Sequence, residues 1–332
     1  MTPAELTPFL AKLVDQQIDL SVMIWGPPGI GKSSIVADVG TAHGMSIIDL
    51  RLSQLAPTDL RGLPVPESGV SRWYPPEFLP RTGQGILFLD EINMAPPAMQ
   101  GIAQQLILDR RVGSYTVPDG WFIWAAGNRK SDRASVFEMP SALANRFIHL
   151  DVEPDLDSFK RWAFRHGVTE QMLAFLSFRP HLLHLIDPQR PAWPSPRSWF
   201  MADRLHASGL ATAPAVGEAA AGEFEAFCGL YENLPDLEAI LAGRLDAVFP
   251  KERSAGYAAC LGLIIRANTP ERAINGLRWL VKTAGQEWVQ FFVTDVFQQL
   301  RERGLIGEMF KRIAADAELR QFGTMVRDLA FT

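Results

Sequence analysis

Short apolar runs punctuate the first half of the chain: Asp19 to Trp25, Met45 to Leu50, Ile86 to Asp90, Trp121 to Ala126 and Phe147 to Val152. Runs this short and this continuously apolar read as strands buried on both faces of a parallel sheet. Segments of helical period lie between them, Ser33 to Val39 and Ala98 to Arg110, so strands and helices alternate up to about residue 152. The pattern predicts an α/β fold, an αβα sandwich with a parallel sheet. From Pro154 onward the strand signals vanish and helical periods take over, interrupted at Pro180, Pro188, Pro191, Pro194, Pro214, Pro235, Pro250 and Pro270. One helix face stays apolar along Ile274, Leu277, Leu280 and Val281, and another along Trp288, Phe291, Phe292 and Val296. Stripes of that spacing are core-facing helix surface rather than a ligand box.

Two stretches break the alternation. Residues 51–80 are rich in Pro and Gly and carry Trp73-Tyr74-Pro75-Pro76 where a doubly wound domain has a short connection. Long inserts of this kind often carry function. Residues 111–121 alternate and contain Pro118-Asp119-Gly120, which predicts a β-hairpin turning at that tripeptide. No internal repeat and no low-complexity tract is present, which excludes a solenoid.

Composition narrows the function classes. The chain has 332 residues, 47% of them hydrophobic, enough for a sizeable core and about two domains. A formal net charge of −5 supplies no general footprint for nucleic acid, so DNA or RNA is not the expected partner. Cys228 and Cys260 stand far apart and provide neither a disulfide framework nor a four-thiolate zinc site. The start, Met1-Thr2-Pro3-Ala4-Glu5-Leu6, lacks a basic, apolar leader, and Arg266 stops the run Leu261 to Ile265, so no membrane span is expected. The expected location is cytoplasmic.

The candidate chemistry begins at Gly26-Pro27-Pro28-Gly29-Ile30-Gly31-Lys32-Ser33-Ser34, which fits G-x-x-x-x-G-K-[ST] at every constrained position. Glycines let backbone N–H groups turn toward phosphates, lysine reaches the β and γ oxygens, and the serine hydroxyl enters a magnesium shell. The motif lies between a strand and a helix N-terminus, the setting that an anion needs. A second motif is the apolar strand ending in Asp90-Glu91. There Asp90 would hold Mg2+ together with Ser33, and Glu91 would polarise the attacking water. Asn128 closes the strand that starts at Phe122, where an amide can reach both γ-phosphate and water. Arg146, before the last strand of the first half, can present a guanidinium to a neighbouring subunit's nucleotide. Arg197 opens a helix of the second half and can reach its own subunit's phosphates. His181 and His184 have helix-face spacing, but no carboxylate or thiolate pair completes a metal site, and they read as ordinary lid residues.

This ordered set resembles the AAA+ ATPases and, within them, the MoxR family, over about residues 20 to 205. The most specific likeness is Leu89-Asp90-Glu91-Ile92-Asn93-Met94-Ala95-Pro96-Pro97, which is similar to the family's D-E-I-N-R-A-P-P signature. Asn128 falls at the sensor 1 position, Asn145-Arg146-Phe147 resembles the arginine-finger segment, and Ser195-Pro196-Arg197 resembles the start of the sensor 2 helix. Met94 replaces the family's frequent arginine, and Ala126-Gly127-Asn128-Arg129 replaces its usual Thr-Gln-Asn-Pro. The resemblance implies an AAA+ P-loop core over residues 1–152, with a helix 2 insert at about 51–80 and a pre-sensor 1 hairpin at about 111–121. It further implies a helical lid over 153–245, followed by a C-terminal helical extension over 246–332 that lies outside the resemblance. Implied activity is Mg2+-dependent ATP hydrolysis in a homo-oligomeric ring, usually a hexamer, that remodels, activates or matures a partner protein or metalloenzyme. A protein with a von Willebrand factor A domain is the implied co-worker. Two alternatives stand beside this reading. One is a motor or helper acting on DNA, because helicase relatives share both insertions. The other is a monomeric nucleotide switch or kinase, which leaves Glu91 and Arg146 without a role.

Overall fold

A computed structural model describes residues 1–132, 136–316, 318 and 319. In chain order the first half holds helix α1 (Pro3–Asp15), strand β1 (Val22–Trp25), α2 (Lys32–Ala42), β2 (Ser46–Arg51), α3 (Pro57–Arg61), β3 (Leu63–Glu67), β4 (Val70–Tyr74) and β5 (Gly85–Asp90). There follow α4 (Pro97–Asp109), β6 (Arg111–Val112), β7 (Tyr115–Thr116), β8 (Trp121–Gly127), α5 (Ser141–Ala144) and β9 (Ile148–Asp151). The rest is helical: α6 (Leu156–Arg165), α7 (Glu170–Phe178), α8 (Pro196–Ala207), α9 (Ala213–Val216), α10 (Glu218–Tyr231), α11 (Leu237–Leu241), α12 (Arg253–Arg266), α13 (Pro270–Thr283), α14 (Gln286–Glu302) and α15 (Ile306–Ala315). The chain divides into two compact units. Unit 1 comprises residues 1–162 and 184–198; unit 2 comprises 163–183 and 199 onward.

Unit 1 is built on a five-stranded sheet in the order β2-β5-β8-β1-β9, with all four strand pairings parallel. Every residue of β5 and of β8 is buried, as continuous apolar runs inside a sheet covered on both faces must be. Alternation then separates two cores. Leu87, Leu89, Ile123 and Ala125 face a cluster that includes Met99, Ile102, Ala103 and Leu106 of α4. Ile86, Phe88, Phe122 and Trp124 face Leu6, Leu10 and Leu13 of α1 and Val36 and Val39 of α2. A capping box starts α1: Glu5 N donates to Thr2 Oγ1 and Thr2 N donates to Glu5 Oε2. This is the α/β parallel-sheet fold expected of the first half.

The insert over 51–80 contains a two-stranded antiparallel hairpin, β3 with β4, every residue of it exposed. Its turn residues Ser68 and Gly69 both have positive φ, 51° and 81°, the requirement of a type I′ turn that matches strand twist. The second hairpin corrects its expected turn. β6 and β7 meet around Gly113 (φ 58°) and Ser114, whereas Pro118-Asp119-Gly120 only leads into β8. Arg110, at φ 50°, ends α4 and directs the chain into β6, so the reversal occurs at the first available glycine. Ser114 Oγ donates to Trp73 O at 2.6 Å and Tyr115 Oη donates to Pro80 O at 2.6 Å, tying the two inserted pieces together.

The regular elements described in unit 2 are all helices, as the loss of strand signals predicts. Its core includes Phe175 with Trp199, Phe224 and Phe227 at centroid distances of 5.4, 5.3 and 5.7 Å. Glu170 accepts from Tyr231 Oη and pairs with Arg266 Nε at 2.8 Å, and burial first, then the Glu170 charge, pushes the Tyr231 phenol upward. Helices on both sides of residue 246 belong to this one unit. The expected extension runs to residue 332, of which 317 and 320–332 lie outside the described residues. Among the described residues no helix is long and apolar enough to cross a membrane.

Candidate nucleotide site

The C-terminal edge of the sheet in unit 1 gathers the candidate residues. β1 runs into the loop Gly26 to Gly31, and the loop opens α2. Gly29 and Gly31 adopt φ of 83° and 93°, which turn successive N–H groups to one side as L side chains rarely permit. Gly26 is excluded from substitution by space: a Cβ there would lie 2.5 Å from Val152 O and 2.8 Å from Ile30 Cδ1. No side chain caps the N-terminus of α2, so its first N–H groups remain available to an anion, as does the positive end of the helix dipole.

Lys32 is buried, and its Nζ donates to Gly26 O at 2.7 Å, Pro27 O at 3.0 Å and Asn128 Oδ1 at 3.0 Å. Burial lowers its pKa to about 8, against the pull of Asp90 and Asp132, while Arg197 and Arg129 add repulsion. A lysine among two further cations, with only neutral acceptors on its ammonium, is arranged for an incoming polyanion.

Asp90, at the end of β5, is also buried; its Oδ2 accepts from Ser33 Oγ at 2.7 Å and its Oδ1 accepts from Glu91 N at 2.9 Å. Glu91 takes the left-handed region at φ 53°, a strained conformation for a non-glycine residue. Among the described residues its carboxylate has no hydrogen-bond partner. Burial, then Asp90 and Glu91, raise the pKa of Asp49 on neighbouring β2, a measure of the negative field at this edge. Ser33 Oγ and Asp90 Oδ2 are hard oxygen donors at one point beside the phosphate loop, which fits Mg2+. That ion keeps several waters and takes its other ligands from phosphate. No group of three or more His, Cys, Asp or Glu suited to a metal exists among the described residues.

Asn128 follows β8 directly, and its main-chain carbonyl accepts from Asn93 Nδ2 at 2.6 Å. Asn93, which belongs to the acidic-pair signature, joins the Asp90-Glu91 turn to the strand that delivers Asn128. A polar residue between Ile92 and Met94 was the available signal. Gly127 makes room for it, since a Cβ there would lie 2.5 Å from Asn93 Oδ1.

Arg197 reaches the loop through unit 1, to which residues 184–198 belong. Its N donates to Gly29 O at 3.1 Å, and its exposed guanidinium acts electrostatically on Lys32. Ser195 and Ser198 start α8 reciprocally, with Ser195 N donating to Ser198 Oγ at 2.7 Å and Ser198 N to Ser195 Oγ at 3.1 Å. His184 lies in the same segment, with Nε2 3.1 Å from Pro28 O. Burial lowers its pKa, so the neutral ring donates its N–H to the loop carbonyl. That contact spans 156 residues and carries no local sequence signal. Arg146 stands apart: it is exposed between α5 and β9, and its side chain has no ion pair or hydrogen bond among the described residues.

Residues 21–147, which include Lys32, Asp90, Glu91, Asn128 and Arg146, match the family model described as AAA domain (dynein-related subfamily). The chain is similar to Midasin of Giardia intestinalis, 26% identical over 141 residues, covering 40% of this chain and 3% of that one. It therefore spans a small fraction of the length of that curated relative. Among solved structures it is similar to NtrX from Brucella abortus in complex with ADP, at 17% identity and a TM-score of 0.38, covering 92% of this chain and 68% of that one. It is also similar to the Thermotoga maritima RuvB Holliday junction branch migration motor, at 15% identity and a TM-score of 0.38, covering 74% and 75%.

Proposed function

We propose that this chain, whose AAA domain makes it an ATP hydrolase using ATP and Mg2+, works as a MoxR-type ring, most simply a hexamer, that remodels or matures a partner protein or metalloenzyme. The observation that carries the reading is a division of labour within unit 1. Lys32 bonds Asn128 and the adjacent Ser33 bonds Asp90, whereas Arg146 is exposed and its side chain has no partner among the described residues. In this reading Lys32 and the loop from Gly26 to Ser34 bind the triphosphate, and Ser33 with Asp90 holds Mg2+. Glu91 polarises the attacking water and Asn128 orients it. Arg197 neutralises phosphate in its own subunit, and Arg146 does so in the next, because a guanidinium suits charge spread over phosphate oxygens.

The exposed β3–β4 hairpin supports a protein target. Leu63, Val70 and Tyr74 are 65%, 59% and 52% exposed, and Arg72 is already paired with Glu67 at 3.3 Å. Apolar surface with its one cation neutralised suits protein better than a phosphate backbone. A von Willebrand factor A domain protein is the proposed co-worker, in the cytoplasm.

The test is partner capture with Glu91→Gln, which keeps ATP binding and blocks hydrolysis so that loaded complexes persist. Enrichment of a von Willebrand factor A protein or of an enzyme, by mass spectrometry, is expected. Recovery of nuclease-sensitive nucleoprotein instead would transfer the assignment to a DNA motor. Sedimentation that shows a monomer with and without ATP would reject the ring.

A further inference from the structure

Trp25 ends β1, one residue before the phosphate loop, and its indole Nε1 donates to His149 Nδ1 at 2.8 Å. The two ring planes differ by only 8°, which suits an N–H directed at an in-plane lone pair. The other imidazole nitrogen, Nε2, lies 2.8 Å from Ala144 O. A nitrogen that receives an indole N–H must be unprotonated, and one that meets a carbonyl must carry a proton. The two partners together select one neutral tautomer of His149.

The bridge joins two functional pieces. At one end, Trp25 precedes Gly26, whose carbonyl accepts from Lys32 Nζ at 2.7 Å. At the other end, Ala144 is the last residue of α5 and stands two positions before Arg146. Ala144 O also accepts from Phe147 N at 3.2 Å, so the turn that carries Arg146 hangs on the carbonyl that His149 holds. Phe147 anchors the same turn in the core, with its ring edge-on to His149 at 6.3 Å. β1 and β9 are already paired, Met23 opposite His149 and Trp25 opposite Asp151, so the side-chain bridge spans adjacent strands.

We infer that Trp25 and His149 are positioning residues for Arg146, linking the state of a subunit's own nucleotide loop to the guanidinium it offers its neighbour. A triphosphate that draws Lys32 from Gly26 O and Pro27 O changes the bonding directly beside Trp25. The indole then transmits that change through His149 to the α5 terminus. The inference rests on the trans role of Arg146 proposed above.

A double-mutant cycle in the full chain tests it. Trp25→Phe keeps an aromatic ring and removes the N–H; Arg146→Ala removes the guanidinium. The expected result for Trp25→Phe is fluorescent ATP-analogue affinity within about twofold of the parent and turnover lowered about fivefold at unchanged KM. In the Arg146→Ala background it should lower turnover no further, because both changes remove the same contribution. If Trp25→Phe lowers the melting temperature, His149→Gln, which retains an N–H toward Ala144 O, replaces it and should keep more turnover than His149→Ala. Losses that multiply in the double variant overturn the bridge while leaving the trans role intact. Full turnover in Arg146→Ala alone overturns the trans role, and the bridge with it.

Discussion

Lys32 and Asn128, 96 residues apart in sequence, share a 3.0 Å hydrogen bond inside unit 1. The amide oxygen takes one ammonium proton, and the carbonyls of Gly26 and Pro27 take the others. All three acceptors are neutral. Charged phosphate oxygens make hydrogen bonds roughly twice as strong, so a triphosphate displaces these acceptors in turn. In the proposed reading Asn128 is then freed to orient the attacking water. Asn128→Ala should therefore leave ATP affinity within about threefold of the parent and lower turnover at least about tenfold, near 1.4 kcal/mol of barrier. Titration with a fluorescent ATP analogue beside steady-state hydrolysis separates the two effects. Equal losses in both would mean that the amide serves binding only.

The lowered pKa of Lys32 predicts a proton linkage. Burial is the main cause, and the free protein's lysine titrates at about 8. A bound triphosphate stabilises the ammonium and raises that value. Below pH 8 both states carry the proton, and Lys32 contributes no uptake. Above pH 8 the free protein has lost a proton that the complex regains. Binding then takes up as much as one proton, and affinity falls up to about tenfold per pH unit. Calorimetric titrations at pH 7 and pH 9, each in two buffers of different ionisation heat, measure this directly. No added uptake at pH 9 would contradict the assignment of Lys32 to the phosphates.

Asn93 connects the acidic turn to Asn128, so its removal should act on stability and on catalysis. In Asn93→Ala the buried carbonyl of Asn128 loses its 2.6 Å donor, and a buried unsatisfied group costs about 1–3 kcal/mol. A lower melting temperature is expected, with turnover reduced more than ATP affinity. Gly127→Ala should behave alike, because its Cβ would intrude to 2.5 Å from Asn93 Oδ1. Parent-like stability in both variants would show that the Asn93 bond does not hold the strand end.

The sheet was legible in the sequence where burial is complete on both faces. β5 and β8 are unbroken apolar runs, and all their residues are buried. The phosphate loop was legible because its glycines serve backbone geometry that no other residue supplies. Three features escaped for different physical reasons. The β3–β4 hairpin lacks a buried face, and Pro64 and Pro66 obscure its alternation, so periodicity carried no signal there. In the β6–β7 hairpin two candidate turns lay within eight residues, Gly113 and Pro118-Asp119-Gly120, and local propensity could not choose between them. The contacts of His184 with Pro28 and of Asn93 with Asn128 are tertiary, and single residues carry no record of a partner 156 or 35 positions away.

The exposed hairpin yields the prediction that bears most directly on the partner. Its base is fixed: Gly62 has φ 86°, and a Cβ there would stand 2.0 Å from Tyr74 O, so the hairpin leaves unit 1 at a set place. Its strands expose Leu63, Val65, Val70 and Tyr74, an apolar surface that is costly to leave in water unless another molecule covers it. Among the described residues none of these side chains bonds to Lys32, Asp90 or Asn128. Replacing Leu63, Val70 and Tyr74 together by Ser should therefore keep basal ATP turnover within about twofold, since a surface that makes no bond to those residues adds little to transition-state stabilisation. Introduced into Glu91→Gln, the same three changes should abolish recovery of the captured protein, and stimulation of turnover by that protein should disappear with it. Undiminished capture would free the hairpin of any contact role, and would leave contact between subunits of the proposed ring as the cover for the apolar face.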